Sequence, residues 1–295
     1  MDIFGGNWQG HPEVFFARWR EVVCEDDVVL IPGDISWAMS LEDALFDLRD
    51  IAALPGHKLI LRGNHDYWWS SISKVRKALP ARMQALQHDA FAWDVTRCQR
   101  GFDGATATAS APTESTPTAS TTMASTATKT IPTKSTATAS TSVEAVPIEA
   151  VPVKAPSGIR NATPTDKHRV VIAGTRGWDC PGSRQFDEDD DHDSKIYARE
   201  QQRLELSLQH ATKLAQQAAS STLIVMLHYP PCNLQGEPSA FTELLRHYHA
   251  DIVVYGHLHG YDPTALQPPI ADAQVHLVAA DALTFVPKVL LECEA

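Results

Sequence analysis

Asp27-Val-Val-Leu-Ile-Pro-Gly-Asp34 is a short apolar run that ends on a turn and a carboxylate. A run of this kind suits a strand buried on both faces, as in a parallel sheet. A helix is expected next. Ser40-Leu-Glu-Asp43 resembles a capping box with Asp in place of the usual Glu, and Leu41, Ala44, Leu45 and Leu48 recur at helical spacing until Pro55-Gly56. The alternation then repeats along the chain. His57 to Arg62 reads as a strand and Ser70 to Leu79 as a helix stopped by Pro80. Beyond these, a long helix is expected over Ser194 to Ala218, a strand over Thr222 to Leu227, a helix over Ser239 to His249 and a strand over Asp251 to Tyr255. Val275 to Ala280 and Val286 to Leu291 read as closing strands. Strands alternating with helices across short loops predict a layered α/β architecture.

The composition is that of a soluble globular protein, with 295 residues, 43% of them apolar. With 25 basic against 36 acidic residues the net charge is −11, so there is no basic footprint for nucleic acid or for an anionic membrane surface. An acidic balance does not exclude a phosphate substrate, because bound cations reverse the local field. No apolar run approaches the roughly 18 residues of a membrane span, and Met1 to Gly6 has neither a basic nor an apolar leader region. A cytoplasmic protein is expected. The five cysteines are scattered without a Cys-x-x-Cys pair, which argues against a disulfide framework or a zinc knuckle. Cys232 reads as ordinary packing.

From about Gly104 to Ala155 the sequence becomes Thr, Ala, Ser and Pro in near-repeats, with too few large apolar side chains to offset the entropy of ordering. A disordered insertion is expected over 104–165, set in a surface loop. Its flanks, Ala90 to Val95 and His168 to Ala173, read as strands, so the insertion is expected to lengthen a hairpin connection within a single domain made of 1–103 and 166–295. The acidic run Asp187 to Asp193 reads as a solvated loop.

Four strand ends carry chemistry-bearing residues: Gly33-Asp34, Gly63-Asn64-His65-Asp66, His228, and Gly256-His257-Leu258-His259. In open α/β sheets ligands bind at the carboxyl edge, where such residues converge. A carboxylate can bridge two cations, an amide supplies a neutral oxygen, and neutral imidazoles suit Zn, Fe or Mn. Paired metals can activate water and hold charge on a phosphoryl group. Asp34 is the natural bridge, and His65, with Asp66 to orient its ring, is the candidate general acid. Each element alone has a bland reading as a turn or a packed core histidine. Gly-His-x-His after a buried strand is harder to dismiss, because alternate strand residues face one side.

These four elements resemble the second to fifth signature motifs of the calcineurin-like metallophosphoesterases, over Val28 to Gly260 apart from the insertion. The resemblance implies a four-layer αββα fold and two divalent ions, Mn, Fe or Zn. Asp34 would bridge them, with Asn64, His228 and His257 on one ion and His259 on the other; His65 would act with Asp66. Ile31-Pro-Gly-Asp-Ile-Ser-Trp37, Arg62-Gly-Asn-His-Asp-Tyr-Trp-Trp69 and Gly174-Thr-Arg-Gly-Trp178 resemble a bacterial phosphohydrolase branch, and Arg176 becomes a candidate contact to substrate phosphate. Family members open with a buried strand ending in Asp-x-His, and no such motif precedes Phe15. The expectation is that the true start lies upstream, and that a missing strand leaves a sheet edge exposed.

The function expected is hydrolysis of a phosphate mono- or diester, on a small molecule or a phosphoprotein, without stable nucleic-acid or membrane binding. The alternatives are a degenerate single-metal binding protein, or an interaction protein whose Thr-rich loop is the functional part.

Overall fold

The structure, a computed structural model, describes residues 8, 10–95, 97–100, 151–153 and 168–294, apart from 188, 190, 263, 265, 267 and 271. The chain divides into two compact units, one made of Met1–Gly101 with Val143–Ala295 and the other of Phe102–Ser142. The second unit lies outside the described residues, as does the expected disordered insertion except at 151–153.

In chain order the first unit runs α1 (His11–Val22), β1 (Val28–Ile31), α2 (Leu41–Ala52), β2 (His57–Ile60), α3 (Ile72–Ala78), β3 (Met83–Ala85), β4 (Ala90–Val95), β5 (Arg97–Arg100), β6 (Val151–Val153) and β7 (His168–Thr175). It continues with α4 (Asp191–Ala215), β8 (Ser220–Leu227), α5 (Ala240–His247), β9 (Ile252–Tyr255), β10 (Gln274–Leu277) and β11 (Leu291–Glu294). The strands form two sheets, ordered β3-β2-β1-β6-β11-β5 and β10-β9-β8-β7-β4. Pairing is parallel from β1 to β3 and from β7 to β10, and antiparallel where β6 meets β1 and β4 meets β7. The protein is a mixed α/β structure.

The capping signals act where they stand. Ser40 accepts the backbone N–H of Asp43 at 3.2 Å and its hydroxyl meets the Asp43 carboxylate at 2.6 Å, fixing the start of α2. Ser239 and Thr242 form a reciprocal capping box on α5.

Why strands such as β1 are apolar throughout follows from the core. Val29 and Ile31 pack with Trp19 of α1 and Leu48 of α2, while Val28 and Leu30 turn the other way, into a cluster with Val170, Ile172, Ile224 and Met226. From the second sheet, Val171, Val225 and Val253 face a third cluster with Leu204 and Leu208 of α4 and Phe241 of α5. A strand with both faces covered selects apolar side chains.

Several expectations need correction. The strands flanking the insertion do pair antiparallel, Ala90 opposite Ala173 and Val95 opposite His168, but the chain between them is more than a lengthened loop. It supplies β5 and β6 to the other sheet, so Val151–Val153 is ordered within the span expected to be disordered. Two β-branched valines around Pro152 make a short pairing segment that the surrounding Thr/Ala/Pro composition hides. The edge of β1 expected to be exposed is covered by this same strand, with Val28 opposite Val153 and Leu30 opposite Val151. The closing strand expected over Val286 to Leu291 begins only at Leu291, because Pro287 offers no N–H to a ladder. Finally, the acidic run is not all loop: Asp191 and Asp193 form the first turn of α4, where carboxylates offset the helix dipole.

Candidate metal centre

The loops after β1 and β2 approach so closely that glycine is required at both. A Cβ on Gly33 would lie 2.7 Å from Gly63 Cα and from His228 Nδ1, and one on Gly63 would lie 2.1 Å from Asp34 Oδ1. Asp34 itself has φ 51° and His257 φ 68°, so two of the expected ligands sit in left-handed backbone that only a determined surrounding holds.

What holds Asp34 is Asp66. The Asp66 carboxylate is fully buried and accepts five hydrogen bonds: Oδ2 from the backbone N–H of Asp34 (2.9 Å) and Gly63 (2.7 Å), Oδ1 from Ile35 (2.8 Å), Ser36 (3.1 Å) and the Trp68 indole (3.0 Å). The expectation that Asp66 orients the His65 ring is therefore corrected. Three of the five bonds, from Asp34, Ile35 and Ser36, tie its loop to the one after β1, and His65 Nδ1 lies instead 3.1 Å from the Tyr67 hydroxyl. The His65 ring also stacks near Trp37, and its backbone N–H donates to Asp34 Oδ1 at 2.9 Å. Burial, then the neighbouring Asp34 carboxylate, pushes the Asp66 carboxyl up to about 7, against the pull of its backbone donors.

Asp34, Asn64, His228 and His257 are brought together. His228 is fully buried, and burial lowers its pKa against the opposing pull of Asp34 and the Pro32 carbonyl, which favours the neutral ring. Its Nδ1 lies 3.0 Å from the Pro32 carbonyl oxygen, which can only accept, so Nδ1 carries the proton. Nε2 is then a lone pair, 2.6 Å from Asn64 Oδ1 and 3.6 Å from Asp34 Oδ2. As the Asn64 amide is oriented, three acceptors face one another, an arrangement that repels itself unless a cation lies among them. His257 Nδ1 stands 3.1 Å from the same Asn64 oxygen, its pKa driven down to about 2 by burial and by His228, His259 and His65 nearby. Two neutral imidazoles, an amide oxygen and a carboxylate are a donor set that fits a Zn, Fe or Mn ion. No group of three or more His, Cys, Asp and Glu side chains poised to hold a metal occurs among the described residues.

His259 is placed differently. Its Nδ1 bonds Asp281 Oδ1 at 2.9 Å, while Asp281 Oδ2 accepts the Gly260 N–H at 2.6 Å. A carboxylate on one ring nitrogen of a histidine fixes the ring and raises the basicity of the other nitrogen, as behind metal-binding histidines. Sequence reasoning passed over Asp281. The signal was its position just after the expected strand Val275 to Ala280, at one more strand end of the same kind. The Pro32 carbonyl, by contrast, leaves no trace in sequence.

Arg176 opens the loop that leaves β7. Its backbone oxygen accepts the N–H groups of His228 and Tyr229, and its guanidinium carbon lies 4.7 Å over the Trp178 ring. Trp68 and Trp69 belong to the core with α1 and α2. Cys232 and Cys180 are buried in the cluster under α4, their thiol pKa values pushed up to about 11 and about 12 by burial, as packing residues rather than nucleophiles.

Comparison with protein-family models, with curated proteins and with solved structures found no match.

Proposed function

We propose that this chain is a calcineurin-like metallophosphoesterase, a cytoplasmic phosphoric ester hydrolase acting on a phosphate mono- or diester through divalent ions held at the carboxyl ends of its strands. The finer fold reading that goes with it is a four-layer αββα sandwich, supported by alternate strand residues feeding separate core clusters. Among the described residues no helix is long and apolar enough to cross a membrane.

The observation that carries the proposal is the lone pair of His228 Nε2 facing Asn64 Oδ1 at 2.6 Å and Asp34 Oδ2 at 3.6 Å, with the Pro32 carbonyl fixing the tautomer. Asp34, Asn64, His228 and His257 would hold one ion, and His259, braced by Asp281, would serve a second alongside Asp34. Bound divalent ions would supply a nucleophile from water at neutral pH and stabilise charge on the phosphoryl oxygens. The chain's own residues position the rest. Asp66 holds the Asp34 and Asn64 loops in register, and His65, anchored by its N–H on Asp34, would give a proton to the leaving oxygen, its ring set by Tyr67 in place of a carboxylate.

The test is hydrolysis of p-nitrophenyl phosphate and bis-p-nitrophenyl phosphate by the purified chain with Mn, Fe or Zn, alongside metal content. Turnover that is abolished by chelation and by His228→Ala is expected; absence of turnover with every ion overturns the enzyme reading. A second reading is a binder of one ion without catalysis, in which His259 stays paired with Asp281 and serves no second ion. It predicts one ion per chain and no turnover.

A further inference from the structure

Beside the candidate centre, a cavity of about 170 Å³ is lined by residues that include Arg62, Arg176, Arg199 and Arg203. Four arginines line it in a chain whose net charge is −11, so the local charge balance opposes the global one. Glu200, fully buried, is the carboxylate on the cavity wall, and its oxygens are committed: Oε2 accepts the Thr175 hydroxyl at 2.7 Å, and Oε1 accepts Arg203 at 2.7 Å with Arg199 at 3.5 Å. One carboxylate among four arginines leaves the lining with an excess of positive charge, since arginine does not deprotonate.

Two of the four also have buried donors with nowhere to go. Among the described residues the Nε atoms of Arg62 and Arg176 are buried without a hydrogen-bond partner. A buried guanidinium N–H left unmade is costly, and such groups in folded proteins normally find a partner. Burial lowers the Arg176 pKa, and Arg62 and Arg199 beside it act in the same direction, while Glu200 and Tyr229 oppose. The cavity is also tied to the candidate centre by the chain itself. Arg62 immediately precedes the Gly63-Asn64 turn, and the Arg176 backbone oxygen holds the His228 N–H.

We infer that this cavity is a binding site for a tetrahedral phosphoryl anion, held by the planar N–H forks of Arg62 and Arg176 from one side and of Arg199 and Arg203 on α4 from the other. Its place next to the candidate centre makes it the subsite for a second phosphoryl group on the substrate, a role that rests on the phosphoesterase reading, whereas its affinity for the anion does not. The substrate class is then a compound with two phosphoryl groups, such as a nucleoside diphosphate or a bisphosphorylated small molecule. A phosphoprotein with a single phosphoryl group would leave four arginines unengaged.

The experiment separates the two parts. Calorimetry with inorganic phosphate and pyrophosphate is run on the full chain in EDTA, so that metal-held phosphate does not contribute, and repeated on Arg199→Ala, Arg199→Lys and the metal-centre variant Asp34→Asn. Binding in EDTA that survives Asp34→Asn and weakens about tenfold or more in Arg199→Ala is expected, with partial recovery in Arg199→Lys. No binding in EDTA, or equal binding by Arg199→Ala with an unchanged melting temperature, overturns the site. With metal present, the KM for a diphosphorylated substrate is expected to rise at least about tenfold more in Arg199→Ala than the KM for p-nitrophenyl phosphate. Equal changes in both overturn the substrate role and assign the cavity to free phosphate. Anion binding without turnover of any ester removes the phosphoesterase reading and leaves the anion site standing.

Discussion

Asp66→Asn tests whether this residue holds the site together or acts in the chemistry. The substitution keeps shape and volume but turns one acceptor oxygen into an NH2 group. Whichever way the amide is turned, it faces N–H donors: the pair from Asp34 and Gly63 on one side, or Ile35, Ser36 and Trp68 on the other. At least two bonds to a charged acceptor are lost, each worth about 1.5–3 kcal/mol, and the orphaned donors stay buried. Relief of the repulsion from Asp34 and of the burial of a charge, the same effects that push the Asp66 carboxyl up to about 7, return part of this. A net destabilisation of roughly 3–5 kcal/mol is expected, or a fall in Tm of roughly 8–15 °C for a folded unit of this size. Thermal and denaturant melts of the chelated protein measure it without metal linkage. Loss of turnover with a Tm within about 1 °C of the parent would refute the clamp, since a residue that only orients a catalytic ring leaves stability unchanged.

Gly63→Ala should cost about 1–3 kcal/mol or more and weaken metal binding, because the new Cβ would meet the Asp34 backbone N at 2.3 Å as well as its side chain; a wild-type melt would contradict this. Asp281→Ala should lower affinity for the ion served by His259 by about 10–100-fold while leaving the ion at Asn64 and His228 in place, as read by metal titration of each variant. Asp179 supplies a pH dependence: burial, then Asp193, pushes its carboxyl from 3.8 up to about 6. Between those values the folded state keeps a proton that the unfolded chain has released, so stability falls as pH rises from about 4 to 6, by about 2 kcal/mol after allowing for partial exposure. Asp179→Asn should flatten that part of the stability curve, and an unchanged slope in denaturant melts across this window would count against it.

Legibility in the sequence followed how local each determinant is. The strands β1, β8 and β9 were readable because covered strand residues are apolar, as at Val28–Ile31, 223–227 and Ile252–Tyr255, and the turn residues Gly33-Asp34 and Gly256-His257 stand out against such runs. Helix α2 was readable because Ser40 and Asp43 bond to each other within one turn. The strand β6 was not, since three residues carry no periodicity and their pairing with β1 depends on chain more than a hundred residues away. For the same reason β11 was misplaced, its register being set by β5 and β6 and not by its own pattern.

The site divides along the same line. Which residue types converge could be read from the four strand ends, since ligand-bearing residues gather at the carboxyl ends of strands, here β1 and β2 of one sheet and β8 and β9 of the other. What each residue does there could not, and Asp66 shows why. Adjacent to His65 in sequence, it suggests a dyad, yet residues that follow one another out of a turn point in different directions, and the carboxylate turns inward to five donors drawn from both loops. The ring it leaves behind is met by Tyr67, two residues on. The partner that fixes the His228 tautomer is a main-chain oxygen 196 residues away, and the one that fixes His259 is a carboxylate 22 residues away. A side chain's identity limits which roles it can take, but the choice among them is made by the buried donors and acceptors around it, and these are assembled only when the two sheets bring their strand ends together.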